Sequence, residues 1–80
     1  MKVEIYSKDF CVYCDMAKNL MESRGIGYTE YKLGNDGITR EMLLERVPNA
    51  RTFPQIIIND QVIGGWTQFK SWMEEHESSS

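Results

Sequence analysis

The sequence predicts an α/β fold: a four-stranded mixed sheet flanked by helices, with elements in the order β-α-β-α-β-β-α. Three observations carry that expectation. The hydrophobic period switches between two and about 3.6 along the chain, as it does where strands and helices alternate. Glycine- and proline-bearing breaks separate the periodic segments. Finally, Ile56-Ile57-Ile58 is a short unbroken apolar run, the pattern of a strand covered on both faces.

Taken in order, Lys2 to Tyr6 alternates at period two, with Val3 and Ile5 on one face, and reads as the first strand. Ser7 to Phe10 is a short connector. From Cys11 to Arg24 the spacing turns helical, with Val12/Met16, Tyr13/Ala17/Met21 and Met16/Leu20 as i, i+4 pairs on an apolar face. Gly25 stands where a helix end favours a left-handed residue. Tyr28 to Leu33 is rich in β-formers and predicts the second strand, closed by the turn Gly34-Asn35-Asp36-Gly37. Ile38, Met42, Leu43 and Val47 predict a second helix, which must end before Pro48. Gln55 to Asn59 is the central strand, Asn59-Asp60 a hairpin break, and Val62-Ile63 a short fourth strand. After Gly64-Gly65, a last helix is expected from about Trp66 to Glu75, with Trp66, Phe69, Trp72 and Met73 on its buried side. The helix between the first two strands makes them parallel, and the short gap between the last two makes them an antiparallel hairpin. One domain over residues 1–77 is expected, with 78–80 as a disordered tail.

Composition narrows the function classes. A chain of 80 residues that is 41% hydrophobic and 26% charged is neither disordered nor collagen-like. Its longest apolar runs, Ile56-Ile57-Ile58 and Met42-Leu43-Leu44, are far too short to span a bilayer. Nine basic residues against 12 acidic ones give a net charge of −3, which offers no basic footprint for nucleic acid or an anionic membrane. The N-terminal residues alternate polar and apolar without a secretory hydrophobic region, so a cytoplasmic location is expected.

Two cysteines remain, Cys11 and Cys14, in Cys-Val-Tyr-Cys. They are too few for the disulfide scaffold of a small secreted domain. A structural zinc site wants four ligands, and the chain adds only His76, so no metal is expected. Two packing cysteines are a second reading, because free cysteine is a common core residue. The third is a redox dithiol, which a pair set between a strand and a helix favours. On that reading Cys11, at the helix N-terminus, meets unpaired backbone N–H groups and the positive end of the dipole, which stabilise a thiolate; Lys8 adds to the effect. Cys14 lies one turn further in. Cys11 is then the nucleophile that attacks an external disulfide, and Cys14 the thiol that resolves the mixed disulfide.

An order β-α-β-α-β-β-α with Cys-x-x-Cys after the first strand resembles the thioredoxin-like superfamily in its minimal form, and within it the glutaredoxins. The resemblance runs from about Lys2 to Met73. It rests on Lys8, Cys11-Val12-Tyr13-Cys14, Arg51-Thr52-Phe53-Pro54 and Gly64-Gly65, in that order. It implies a glutathione-dependent thiol–disulfide oxidoreductase that reduces protein disulfides or glutathione mixed disulfides. No cofactor would be permanently bound, and glutathione would be the reducing co-substrate. The resemblance also implies a cis Phe53-Pro54 bond facing the cysteines. Lys8, Tyr13 and Arg51 would flank the glycine carboxylate of glutathione, and Thr52 and Phe53 would pair with its cysteinyl backbone. Gly65, Trp66 and Thr67, at the next helix N-terminus, would receive the γ-glutamyl carboxylate. Short members of this kind make ribonucleotide reductase an implied client, and a monomer the implied state.

Two positions depart from the family pattern. Val12 stands where glutaredoxins usually carry proline, which frees a backbone N–H near the sulfur. Thr67 offers a hydroxyl where many relatives carry aspartate at or beside the position, a weaker partner for the glutathione ammonium. They keep two alternatives in play: a redoxin reduced by thioredoxin reductase, and a module holding an iron–sulfur cluster between two chains with glutathione.

Overall fold

Strand β1 (Val3–Ser7) is one of the two inner strands of the sheet, paired on both sides. The computed structural model describes residues 1–35 and 37–78, the last two by their backbone alone. β2 (Thr29–Lys32) runs parallel to β1, while β3 (Gln55–Ile58) runs antiparallel on its other side and pairs Val3 with Ile58 and Ile5 with Ile56. β4 (Gln61–Gly64) closes a hairpin on β3, with a register shift between Ile56 and Ile57, and the sheet order is β2-β1-β3-β4. The thioredoxin-like arrangement expected from the sequence, a mixed four-stranded sheet with flanking helices, is the one observed.

Helices cover both faces. α1 (Val12–Ser23) and α3 (Trp66–Ser78) pack on one, around Val3, Ile5, Ala17, Met21, Ile56 and Phe69. α2 (Arg40–Arg46) packs on the other, around Tyr6, Leu43, Val47 and Ile57. The three isoleucines divide accordingly: 56 and 58 face α1 and α3, and 57 faces α2. This is the period-two alternation of a strand with no solvent side. Among the described residues no helix is long and apolar enough to cross a membrane.

Several local expectations shift. The stripe of α1 that meets the sheet is Cys14, Ala17 and Met21, while Val12, Tyr13 and Met16 are exposed. At 100° per residue, Val12 and Met16 point roughly 160–200° away from Cys14, so that pair belongs to the outer side, while Leu20 packs against the core. α2 begins two residues beyond Ile38, because Thr39 is its N-cap and its hydroxyl accepts the Met42 N–H at 3.2 Å. Met42 is exposed, and Ile38 packs from the preceding loop against the Tyr6–Leu43 cluster. In α3 Phe69 and Met73 are buried and both tryptophans only partly so. The helix continues to Ser78, past the expected end near Glu75; Ser79 and Ser80, the rest of the expected tail, lie outside the described residues, as does Asp36 of the turn.

The alternation of β1 also hides something the sequence did not announce. All five of its residues are buried, including Glu4 at 2% exposure and Ser7. Arg46, from the last turn of α2, donates through Nη1 and Nη2 to the two Glu4 carboxylate oxygens at 2.6 and 2.9 Å, and the Tyr31 hydroxyl donates to Oε2 at 3.3 Å. The Arg46 hydrogen bonds hold the Glu4 carboxyl below the usual carboxylate range, although burial pushes the other way. Removing the guanidinium would leave a buried charge without its main partner. Arg46→Ala is therefore expected to cost roughly 2–3 kcal/mol in a denaturant titration, less than a fully enclosed pair because Arg46 itself is partly solvated. The pH dependence follows from the sign of the shift. A carboxyl with a depressed folded value contributes stability that is full above the ordinary glutamate value of about 4.3 and lost as pH falls through the folded value. Glu4→Gln should flatten the acid limb of stability below about pH 4.3, and an acid limb as steep as that of the unaltered protein would show that Glu4 does not contribute there.

Candidate active site

The chain reaches the site at the end of β1. Residues Lys8 to Phe10 form the connector, and Phe10 sits at φ 56 with its ring fully exposed, at 104%. A left-handed backbone at a bulky residue costs about 1–2 kcal/mol, and here it turns the chain into α1. Cys11 is the N-cap of that helix, in extended conformation, and its Sγ accepts the Cys14 N–H at 3.2 Å. The two sulfurs are joined as a disulfide. Their surroundings differ: Cys11 is half-buried at the lip of a depression, whereas Cys14 is 1% exposed and belongs to the stripe facing the sheet. A helix N-terminus and a backbone N–H directed at Sγ both favour negative charge on Cys11 once the bond is reduced. Of the three readings left open by Cys-x-x-Cys, the redox dithiol is the one that this disulfide matches.

A polar cluster secures the helix carrying the cysteines. The buried Ser7 hydroxyl donates to Glu30 Oε2 on β2 at 2.5 Å, and Lys18 Nζ of α1 reaches the same oxygen at 2.9 Å. Burial pushes the Glu30 carboxyl up, but the Ser7 and Lys18 hydrogen bonds outweigh it and hold it below the usual carboxylate range. The Glu30 hydrogen bond likewise raises the Lys18 ammonium. Both groups stay charged at neutral pH, so the cluster is a fixed tie between β1, β2 and α1 rather than a proton carrier.

The wall opposite the cysteines is Thr52-Phe53-Pro54, leading into β3. The Phe53-Pro54 bond is cis, as the resemblance implied. The Gln55 side-chain amide donates to the Thr52 carbonyl at 2.9 Å and holds the bend. Lys8 Nζ lies 5.6 Å from the centre of the Phe53 ring, within cation–π range.

Two adjoining depressions share Tyr13, Thr52 and Phe53. One, of about 520 Å³, continues to Gly65, Trp66, Thr67 and Gln68 at the start of α3. The other, of about 510 Å³, holds Lys8, Cys11, Val12, Arg40 and Arg51, with Phe10 at its edge. The structure thus brings together the residues singled out from the sequence, divided between two ends of one surface, except that Cys14 and Pro54 are buried beneath it and line neither depression. Sequence reading missed Phe10, Arg40 and Gln68. Gln68 did leave a signal. It lies three residues after Gly65, the spacing of a capping box, and its Oε1 accepts the Gly65 N–H at 3.1 Å. Gly64, just before, needs φ +119, and a Cβ there would come within 3.1 Å of the Gln68 side chain. Arg40 left none, because only the packing of α2 brings it to the cysteines.

The glutaredoxin family model matches residues 3–63 of the chain. A probable glutaredoxin of Synechocystis is 43% identical over 67 residues, which are 84% of this chain and 62% of that relative. Thus the chain spans less than two-thirds of that relative's length. Reduced Escherichia coli glutaredoxin, solved by NMR, superposes with a TM-score of 0.83 at 32% identity and covers 98% of this chain and 99% of its own. A buckwheat glutaredoxin–glutathione complex superposes with a TM-score of 0.75 at 28% identity, over 96% of this chain and 69% of that one. The family match extends from β1 through the cysteine pair and the cis proline into β4, and with it the chain belongs to the glutaredoxin family of thiol–disulfide oxidoreductases.

Proposed function

We propose that the protein is a dithiol glutaredoxin that uses glutathione to reduce protein disulfides and glutathione mixed disulfides. The observation that carries this reading is the asymmetry of the pair: Cys11 half-buried at a helix N-terminus, Cys14 enclosed behind it. In the reduced protein, the Cys11 thiolate attacks one sulfur of a substrate disulfide. The substrate S–S bond breaks, its other sulfur leaves as a thiolate, and a Cys11–substrate mixed disulfide remains. Deprotonated Cys14 then attacks the Cys11 sulfur, expels the second substrate thiolate and closes the Cys11–Cys14 bond. Two electrons pass to the substrate, and solvent supplies the protons of its thiols. One glutathione thiolate reopens the bond by forming a mixed disulfide with Cys11 and releasing Cys14. A second removes the first as oxidised glutathione.

The groove supports glutathione as the reductant. The depression at the start of α3, about 520 Å³, falls in the size range of small-molecule sites. Lys8 and Arg51 suit one carboxylate of the tripeptide. The first turn of α3, with Gly65, Trp66 and Thr67, suits the γ-glutamyl end, after the Gln68 side chain yields the Gly65 N–H it now occupies. The buckwheat relative is described as a complex with glutathione. A cytoplasmic monomer acting on clients that include ribonucleotide reductase completes the proposal, as does a single domain over residues 1–77.

Disulfide reduction with glutathione and glutathione reductase, set against thioredoxin reductase as donor, tests the reading. Cys11→Ser should fall to background with either donor. Cys14→Ser should keep activity on small glutathione mixed disulfides and lose it on most protein disulfides. Equal loss of mixed-disulfide activity in both variants would remove the assigned roles, and turnover supported only by thioredoxin reductase would remove glutathione. At the other end of the groove, Thr67→Asp should lower the KM for glutathione about two- to fivefold, the size of one exposed charge-assisted contact. An unchanged KM would place the glutathione ammonium elsewhere.

A further inference from the structure

Cys11 opens onto a depression that carries more positive charge than one tripeptide carboxylate calls for. Lys8 comes from the β1–α1 connector, Arg40 from the first turn of α2 and Arg51 from the segment before β3, and all three line the wall around Cys11. All three are exposed, and among the described residues none has a carboxylate within ion-pair distance. Of the acidic residues adjacent to them in sequence, Asp9 beside Lys8 is turned to Lys32 at 3.5 Å, and Glu41 beside Arg40 does not line the depression. The net charge of the whole chain is −3, so this cluster opposes the overall balance. Beside it, Phe10 and Val12 are exposed, and Phe10 is held out by its left-handed backbone.

We infer that this depression docks an acidic segment of a protein disulfide substrate, so that carboxylates flanking the substrate disulfide meet Lys8, Arg40 and Arg51 while apolar neighbours rest on Phe10 and Val12. The inference deepens the oxidoreductase reading and rests on it, because it names the class of protein substrate that the same sulfur serves. Arg40 is what separates the two kinds of substrate. Lys8 and Arg51 suffice for the carboxylate of a tripeptide. A third cation, brought from another element, suits a polypeptide that extends across the opening. Screened charges act over about 8 Å at physiological ionic strength. An acidic partner therefore meets little of the remaining surface charge once it has reached this cluster, and complementary charge there raises its rate of productive encounter.

The test uses two disulfide-bonded peptides identical except that Asp and Glu flank the cysteines in one, and Asn and Gln in the other. Their reduction by the pre-reduced full chain is measured, and each rate is divided by that of a neutral small dithiol on the same peptide. That normalisation removes the effect of the flanking charges on the intrinsic reactivity of the disulfide. At low ionic strength the acidic peptide should be favoured about fivefold, as expected of a few exposed charge pairs. The preference should shrink to less than about twofold in high salt, where the screening length falls to roughly 3 Å. Arg40→Gln should lower it to about twofold, while Lys70→Gln, which removes an exposed charge from α3, should leave it as it was. Equal normalised rates at low salt would overturn the inference, and so would a preference that survives both salt and Arg40→Gln. Reduction of neither peptide would overturn the oxidoreductase reading, and the docking inference with it.

Discussion

A strand buried from end to end that carries two polar side chains is the constraint on which the rest of this structure depends. β1 has no solvent face, so Glu4 and Ser7 need partners inside the protein. Glu4 finds Arg46 and Tyr31, which joins α2 and β2 to one face of the strand. Ser7 finds Glu30, which Lys18 also holds, and this joins β2 and α1 on the other. Apolar packing alone is non-directional and would tolerate sliding of the helices. Hydrogen bonds between charged groups in fixed geometry restrict it. The end of β1 is also where the chain leaves for the cysteines, so the position of the site is inherited from these two polar contacts.

The register of α1 then divides the labour between two identical thiols. Cys11 as N-cap stands outside the helix, while Cys14, one turn on, shares a stripe with Ala17 and Met21 against the sheet. Neither sulfur needs a titratable neighbour for this difference. One lies where the helix exposes unpaired N–H groups, and the other where burial excludes external disulfides. The same rotation that hides Cys14 turns Val12 and Tyr13 outward, and they become part of the surface that a substrate meets.

The order of elements and the sheet's mixed character were legible in the sequence because glycines and prolines punctuate it and the period changes sharply between segments. The cysteine pair was legible because it falls at one of those changes. The faces of α1 were not. A helix with apolar residues at 12, 13, 16, 17, 20 and 21 offers more than one stripe, and only the sheet beneath chooses Cys14, Ala17 and Met21. Glu4 was read as the polar step of an alternation, since its partner Arg46 lies 42 positions away. The groove residues Lys8, Arg51 and Thr67 were found through resemblance, whereas Arg40 required the tertiary packing of α2. Gln68 could have been found from its distance to Gly65, because a side-chain oxygen three residues into a helix commonly returns to cap its start.

Smallness shapes what remains. Eighty residues build only a small core, and the recognition elements lie at the ends of strands and helices that this core fixes. Connector, α1, the bend before β3 and the start of α3 each give two or more side chains to one continuous surface, and α2 gives Arg40. A shallow surface of this kind cannot select substrates by enclosing them. Selection falls instead to charge at the rim and to which sulfur can be reached, and both are set by where the five segments end rather than by any residue acting alone.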